Sequence, residues 1–270
     1  MEKLFVIKIG GNVIDDEKQL SSFLSDFAGL PGPKILVHGG GKIATEMSKQ
    51  LGIEPKMVDG RRITDAETLK VVQMVYGGLI NKNMVAQLQS NNCNALGLTG
   101  ADANIILATK RAVSPPLEGV GGGAIDYGFV GDIKSVNTQG FVSLLNAGLT
   151  PIIAPLTHDG KGQILNTNAD TMASAIAVAM ANNAEVNLIY CFEKAGVLKN
   201  VDDDSSVIET MNVSDYEKYK KEGIISKGMI PKLDNAFEAI KQGVESVVIC
   251  HSKDLKKITA KQNAGTRLML

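Results

Sequence analysis

Five short stretches carry residue types that can bind or move a charged group. Lys8-Ile9-Gly10-Gly11-Asn12 and His38-Gly39-Gly40-Gly41-Lys42 each place glycines directly after an apolar run. Glycine lets backbone amides approach a ligand closely, and amides at a strand-to-helix turn favour an anion. Lys8 adds a positive charge to the first of these cradles. Gly60-Arg61-Arg62-Ile63-Thr64 offers a guanidinium fork suited to a carboxylate. Asn166-Thr167-Asn168-Ala169-Asp170 presents amides and a carboxylate just before an Ala-rich segment. Gly228-Met229-Ile230-Pro231-Lys232 sets a lysine in the first turn of a helix, where the macrodipole disfavours a cation unless it meets an anion. Each stretch also has a plainer reading. Lys8 can be a surface lysine before a turn, and the glycines a structural turn. The arginines can be a solvated pair, and Asn168 or Asp170 a helix cap.

The spacing excludes some chemistry. Ile43 follows Lys42, so HGGGK is not a GxxxxGK[ST] phosphate loop, and no GxGxxG dinucleotide fingerprint follows a strand. A dehydrogenase is therefore disfavoured. His38 has no second histidine at metal-ligand spacing and reads as a packed, hydrogen-bonded residue. Asp202-Asp203-Asp204 reads as a solvated acidic loop, so no metal ligands are assigned.

Elements that position these stretches follow from patterning. Leu4–Ile9, Ile35–Val37, Thr150–Ala154, Val186–Cys191 and Ser246–Cys250 are short apolar, β-branched runs, as expected of strands buried on both faces. Helical patterns fall at Glu17–Phe27, Lys42–Leu51, Ala66–Val75, Ile80–Gln89, Gly140–Asn146, Asp170–Ala181, Asp215–Glu222 and Lys232–Lys241. Thr64 with Glu67 fits a capping box for the third. The alternation predicts an α/β fold with a central, mostly parallel sheet. Pro55–Thr64 and Ile105–Asp132 break the rhythm and read as projecting loops or hairpins. No Pro/Ser-rich linker appears, so one domain over residues 1–270 with two lobes is expected.

Composition bounds the partners. Hydrophobic residues make up 44% and charged residues 21% of 270, which excludes a disordered chain. Twenty-eight basic and 29 acidic residues give a net charge of -1, which disfavours nucleic-acid binding. Cys93, Cys191 and Cys250 are odd in number and widely spaced, as in a reducing compartment. A charge interrupts the first apolar run too early for a signal peptide, and no stretch reaches the roughly 18 apolar residues of a membrane span. The expectation is a soluble, cytoplasmic protein without a membrane partner.

The ordered set KIGGN, HGGGK, GRRIT, GFVGDI (Gly128–Ile133), ILNTNAD and GMIPK resembles the amino-acid kinase family over nearly the whole chain, from Leu4 to Gly265-Thr266-Arg267. The GRRIT loop and the NTNAD element set this branch apart from aspartokinases, uridylate kinases and carbamate kinases. The resemblance implies a three-layer αβα sandwich. It also implies transfer of the γ-phosphoryl of ATP to the side-chain carboxylate of N-acetyl-L-glutamate, a step toward arginine. N-succinyl-L-glutamate is the alternative acceptor, with Arg61, Lys110 and Arg111 as candidate partners for the extra carboxylate. A nucleotide- or amino-acid-sensing domain without catalysis is the reading of another class.

By the same resemblance, Lys8 and Lys232 flank the transferring phosphoryl and Asp170 orients them. Gly10, Gly11, Gly39 and Gly40 give amides to the phosphates and the reacting carboxylate. Arg62 clamps the α-carboxylate and Asn166 the acylamino group. Residues 1–169 hold the acyl amino acid and residues 170–270 hold ATP, with Mg²⁺ held mainly by the nucleotide phosphates. Relatives carry a Thr/Ser-Asp-Val-x-Gly turn where this chain has Phe192-Glu193-Lys194-Ala195-Gly196, so Glu193 and Gly196 are expected at the nucleotide. Ile224, Ile225 and Ser226 fall at the adenine pocket. Arginine-inhibited members carry an extra N-terminal helix that links dimers into hexamers. Here the first strand begins near residue 4, so a homodimer without strong arginine feedback is expected.

Overall fold

The computed structural model describes residues 3–58, 61–113, 124–225 and 229–270. Ser226, Gly60, Gly228 and the Pro115-Pro116 and Gly121–Gly123 stretches lie outside the described residues.

In the first half, β1 (Lys3–Ile9) leads through α1 (Asn12–Asp15) and α2 (Glu17–Ala28) to β2 (Lys34–His38), then α3 (Gly41–Gln50). A hairpin follows, β3 (Met57–Val58) with β4 (Arg61–Arg62). Next come α4 (Ala66–Val72), a π-helical segment (Gln73–Ile80) and α5 (Asn81–Ser90). The middle holds β5 (Ala95–Leu98), β6 (Ile106–Lys110), β7 (Gly131–Val136), α6 (Thr138–Asn146), β8 (Thr150–Ile153), β9 (Leu156–His158) and β10 (Ile164–Asn166). The last part holds α7 (Ala169–Met180), β11 (Glu185–Phe192), β12 (Thr210–Met211), α8 (Val213–Lys221), α9 (Ile230–Lys241), β13 (Ser246–His251), α10 (Leu255–Thr259) and β14 (Thr266–Leu268).

Among the described residues, eight strands form the central sheet in the order β12-β14-β13-β11-β1-β2-β8-β5. All pairings are parallel except β13 with β14. The five expected strands lie side by side at its middle, within a residue or two of their expected ends. From β1 the chain moves to β2 on one side, whereas from β11 it moves to β13 on the other. The boundary between β1 and β11 is therefore the topological switch point, where open α/β sheets bind ligands beyond the carboxyl ends of their strands.

Helices cover both faces, giving the three layers. Side chains alternate along β1, so Phe5, Ile7 and Ile9 pack with α2, α4 and α5, while Leu4 and Val6 pack with α7 and α9. Lys8 follows Leu4 and Val6 on the second face. That period of two delivers the lysine to the start of α7. Among the described residues, no helix is long and apolar enough to cross a membrane.

Two local expectations are corrected and a third is sharpened. Thr64 does not cap α4. Asp65 does, accepting from the Thr68 amide at 2.8 Å, while Thr64 bridges to Gly128. The expected break between helices after Val75 and before Ile80 is absent: an eight-residue π-helical segment, Gln73–Ile80, joins α4 to α5 without interruption. Ile105–Asp132 takes the hairpin form of its reading: β6 at its start pairs antiparallel with β7, which begins at its end, and the two join β9 and β10 in a second, four-stranded sheet that was not expected. Short alternations with threonines and lysines at the solvent face hid these strands from the apolar-run criterion.

Gly128 ties the hairpin loop to this second sheet. Its φ is +71°, and a Cβ there would run into the Thr64 carbonyl oxygen. Gly128→Ala should therefore lower stability by about 2 kcal/mol, the scale of one strained left-handed residue. A urea midpoint that moves by that amount checks it; an unchanged midpoint contradicts it.

Candidate functional site

Lys8, Asp170 and Lys232 converge from three elements. Asp170 lies in the first turn of α7, which Asn168 caps by accepting from the Thr171 amide at 3.0 Å. Lys232 Nζ donates to Asp170 Oδ2 at 2.6 Å, and Lys8 Nζ lies 2.8 Å from Oδ1. The Lys8 contact is an ion pair by distance but lacks hydrogen-bond alignment, so Oδ1 keeps no aligned donor. Burial acts to raise the Asp170 carboxyl pKa, but the Lys8 and Lys232 charges win and hold it well below the usual carboxylate range. Burial lowers the Lys232 pKa, with Asp170 opposing and Lys8 adding to the shift. Lys232 sits 5.5 Å over the Tyr190 ring, whose hydroxyl donates to the Asp170 carbonyl at 3.2 Å.

Glycines make this geometry possible. A Cβ at Gly10 would lie 2.5 Å from Lys8 Nζ, so the lysine occupies space that only glycine leaves. Gly11 has φ +59°, and its missing Cβ faces Glu193 Oε2 at 3.1 Å. Gly40 has φ +142°, with Tyr76 and Ile80 against it. Lys42 Nζ donates to Asn12 Oδ1 at 2.6 Å and so joins the two glycine turns.

Two cavities flank the charged trio. The first is lined by Lys8, Gly10, Gly11, Glu193, Gly196, Ile224, Ile225 and Lys232, together with apolar Val201 and Met229. It has cations and amides at one end and aliphatic walls at the other, as a nucleotide requires. The second is lined by Gly39, Gly40, Arg61, Arg62, Tyr76, Arg111, Asn166 and Ala169. Arg62 is buried, with Nη2 donating to the Gly41 carbonyl at 2.9 Å and Thr45 Oγ1 at 2.7 Å, while Nη1 has no hydrogen-bond partner among the described residues. A buried guanidinium with an unused edge suits a ligand carboxylate. Asn166 Nδ2 donates to Thr64 Oγ1 at 3.0 Å.

The structure thus gathers the residues assigned to catalysis, substrate and nucleotide in sequence at or beside two cavities, Ser226 lying outside the described residues. Lys110 is not among the wall residues; it lies over the Phe129 ring at 5.4 Å. Asp204 pairs with Lys194 at 3.5 Å. Among the described residues, no three His, Cys, Asp or Glu side chains are grouped to hold a metal. Tyr76, Tyr190 and Thr45 were not legible in sequence: Tyr190 and Thr45 are ordinary members of a strand and a helix pattern, and Tyr76 falls between two expected helices.

The model of the amino acid kinase family matches residues 3–251. Acetylglutamate kinase of Cytophaga hutchinsonii is 61% identical over all of this chain and 99% of its own. Acetylglutamate kinase of Bacteroides thetaiotaomicron is 53% identical over 99% of this chain and 98% of its own. Among solved structures, N-acetylglutamate synthase of Neisseria gonorrhoeae, in complex with coenzyme A and N-acetyl-glutamate, gives a TM-score of 0.80 at 20% identity. It covers 100% of this chain, which spans 59% of that synthase's length, and at that identity shows the fold alone. A Streptococcus mutans protein gives 0.75 at 26% identity, covering 99% of this chain and 98% of its own.

Removing the Asp170 charge leaves two buried ammonium groups unpaired, so Asp170→Asn should cost about 3–5 kcal/mol. The native carboxyl titrates below its unfolded value, so its stabilisation is complete above about pH 4 and is lost as pH falls further. The gap in denaturation midpoint between wild type and Asp170→Asn should hold from pH 7 to 5 and narrow below pH 4. A gap near zero at pH 7 contradicts the pairing.

Proposed function

The chain belongs to the amino-acid kinase family, and from that premise we propose that it is an acetylglutamate kinase, transferring the γ-phosphoryl of ATP to the side-chain carboxylate of N-acetyl-L-glutamate. The products are N-acetyl-L-glutamyl 5-phosphate and ADP. The observation that carries this is the Lys8–Asp170–Lys232 trio set between a cavity suited to a nucleotide and one bearing a buried arginine.

The carboxylate acceptor is already ionised at pH 7 and needs no base. One of its oxygens attacks the γ-phosphorus, and the bond to the β-phosphate bridging oxygen breaks with its electron pair leaving on ADP. The work left to the protein is alignment and charge neutralisation. Lys8 and Lys232 meet the equatorial oxygens, and Asp170 holds both ammonium groups without neutralising the pair: the trio keeps one net positive charge. Gly10 and Gly11 amides serve the phosphates, with Glu193, Gly196, Ile224, Ile225 and Ser226 around the nucleotide. Gly39 and Gly40 amides serve the reacting carboxylate. Arg62 clamps the α-carboxylate and Asn166 the acylamino group. The division of labour falls at residues 169 and 170, with the acyl amino acid before it and ATP after it, except that Lys8, Gly10 and Gly11 reach into the nucleotide cavity. Asp170 is committed to the lysines, so the protein fits a Mg²⁺ ion carried by the phosphates and water. Such an ion supplies further charge neutralisation.

N-succinyl-L-glutamate is a second acceptor reading. Arg61 and Arg111 line the same cavity as Arg62, which provides cations beyond those that one α-carboxylate uses. Arg111 already meets Asp132, so Arg61 is the freer of the two. For the assembly, the exposed strip of Met74 and Leu79 on the π-helical segment supports a homodimer.

Incubation with Mg-ATP, hydroxylamine and each acylglutamate tests the reaction. Acyl hydroxamate should form, and the preferred acceptor identifies the acyl group. Hydroxamate from neither acceptor rejects the kinase and leaves a sensing domain. Lys8→Met and Lys232→Met should each lose about 10²-fold or more in kcat, as for removal of a preorganised charge; an unchanged kcat refutes their roles. Light scattering should give twice the 28.6 kDa chain mass, and Leu79→Asp should halve it. A monomer at every concentration contradicts the dimer.

A further inference from the structure

Two polar side chains lie sealed behind the second cavity. His38 ends β2 and is fully buried, and Asn81, the first residue of α5, is nearly so. Neither lines a cavity wall. Their hydrogen bonds allow one assignment. The Ile152 carbonyl can only accept, so Asn81 presents its Nδ2 there, at 2.9 Å. The same Nδ2 lies 3.2 Å from His38 Nε2, which must then accept. The other ring nitrogen therefore carries the proton, and Nδ1 donates to the Gly39 carbonyl at 2.8 Å. Burial holds the His38 pKa down at about 4, in keeping with this neutral tautomer.

The tethered peptide is the one joining Gly39 to Gly40, both of which line the acyl-side cavity. No Cβ on either side restrains its rotation, so hydrogen bonding must set its orientation. In a trans peptide the carbonyl and the following amide point in opposite directions. A carbonyl drawn toward the buried His38 ring turns the Gly40 amide the other way. That amide makes no hydrogen bond among the described residues.

We propose that His38, its tautomer fixed by Asn81, is a positioning residue that locks the Gly39–Gly40 peptide with its amide turned into the acyl-substrate cavity. The assignment rests on the reading of that cavity as the site of the acceptor carboxylate. It gives a buried histidine a place in phosphoryl transfer without contact to substrate. The π-helical segment joins the device, because it sets the register that brings Asn81 under His38.

Two amide variants separate positioning from packing. His38→Asn places its side-chain amide where Nδ1 stood and keeps a donor for the Gly39 carbonyl. His38→Gln places its amide where Nε2 stood, keeping Asn81 company but losing the tether. Both bury one neutral amide, so a purely structural role would affect them alike. The expected result is a Gly39–Gly40 peptide that keeps its orientation in a crystal structure of His38→Asn and rotates in His38→Gln. The rate should follow: His38→Gln should lose about 10²-fold in kcat, as for a displaced oxyanion donor, with the KM for ATP unchanged, and His38→Asn should recover most of it. The same peptide orientation in both variants overturns the proposal. Wild type that phosphorylates no acylglutamate would sink the kinase reading, yet the peptide orientations would still decide whether His38 holds the turn.

Discussion

Two ammonium groups share one buried carboxylate in this fold, and the arrangement constrains what surrounds it. Lys8 and Lys232 would repel each other and pay the cost of leaving water if Asp170 did not stand between them. One carboxylate offsets one charge, so the trio retains a positive charge at the mouth of the sheet. A dianionic or trianionic group arriving there completes the neutralisation. Charge that is incomplete in the resting protein and satisfied by the transferring group is the form of electrostatic preorganisation that speeds phosphoryl transfer.

Much of the architecture serves this trio. The two-residue period of β1 turns Lys8 toward α7, and the switch point beside β11 opens a crevice above it. Gly10 leaves the volume that the Lys8 ammonium occupies. Asn168 caps α7, so Asp170 falls in its first turn, where a carboxylate is also favoured by the helix dipole. Lys232 sits in the first turn of α9 against its own dipole, and Asp170 and the Tyr190 ring compensate.

Legibility in the sequence followed the strength of local signals. Strands buried on both faces announce themselves as apolar runs, so β1, β2, β8, β11 and β13 could be read directly, and with them the parallel sheet. Glycines at strand ends marked Lys8 and Gly39, and charges in a projecting loop and at helix starts marked Arg62, Asp170 and Lys232, as residues of interest. Their convergence could not be read from spacing, because Lys8 and Asp170 are 162 positions apart in the chain; only the family resemblance joined them. The second sheet was missed because β6 and β7 alternate with polar residues and show no long apolar run. The gap left between the expected helices at Val75 and Ile80 is π-helix, a register that a period of about 3.6 residues does not reveal. The His38–Asn81 contact depends on a π-helical register that no propensity encodes.

The central claim is that Lys8 and Lys232 act on the phosphoryl group in flight. Calorimetric titration of a metal-fluoride mimic of that group, with ADP and the acylglutamate, reads this interaction without turnover. Wild type should bind the mimic more tightly than Lys8→Met or Lys232→Met by about 10²-fold or more, the scale of one preorganised charge in the transition state. Equal affinity in all three proteins would contradict the account.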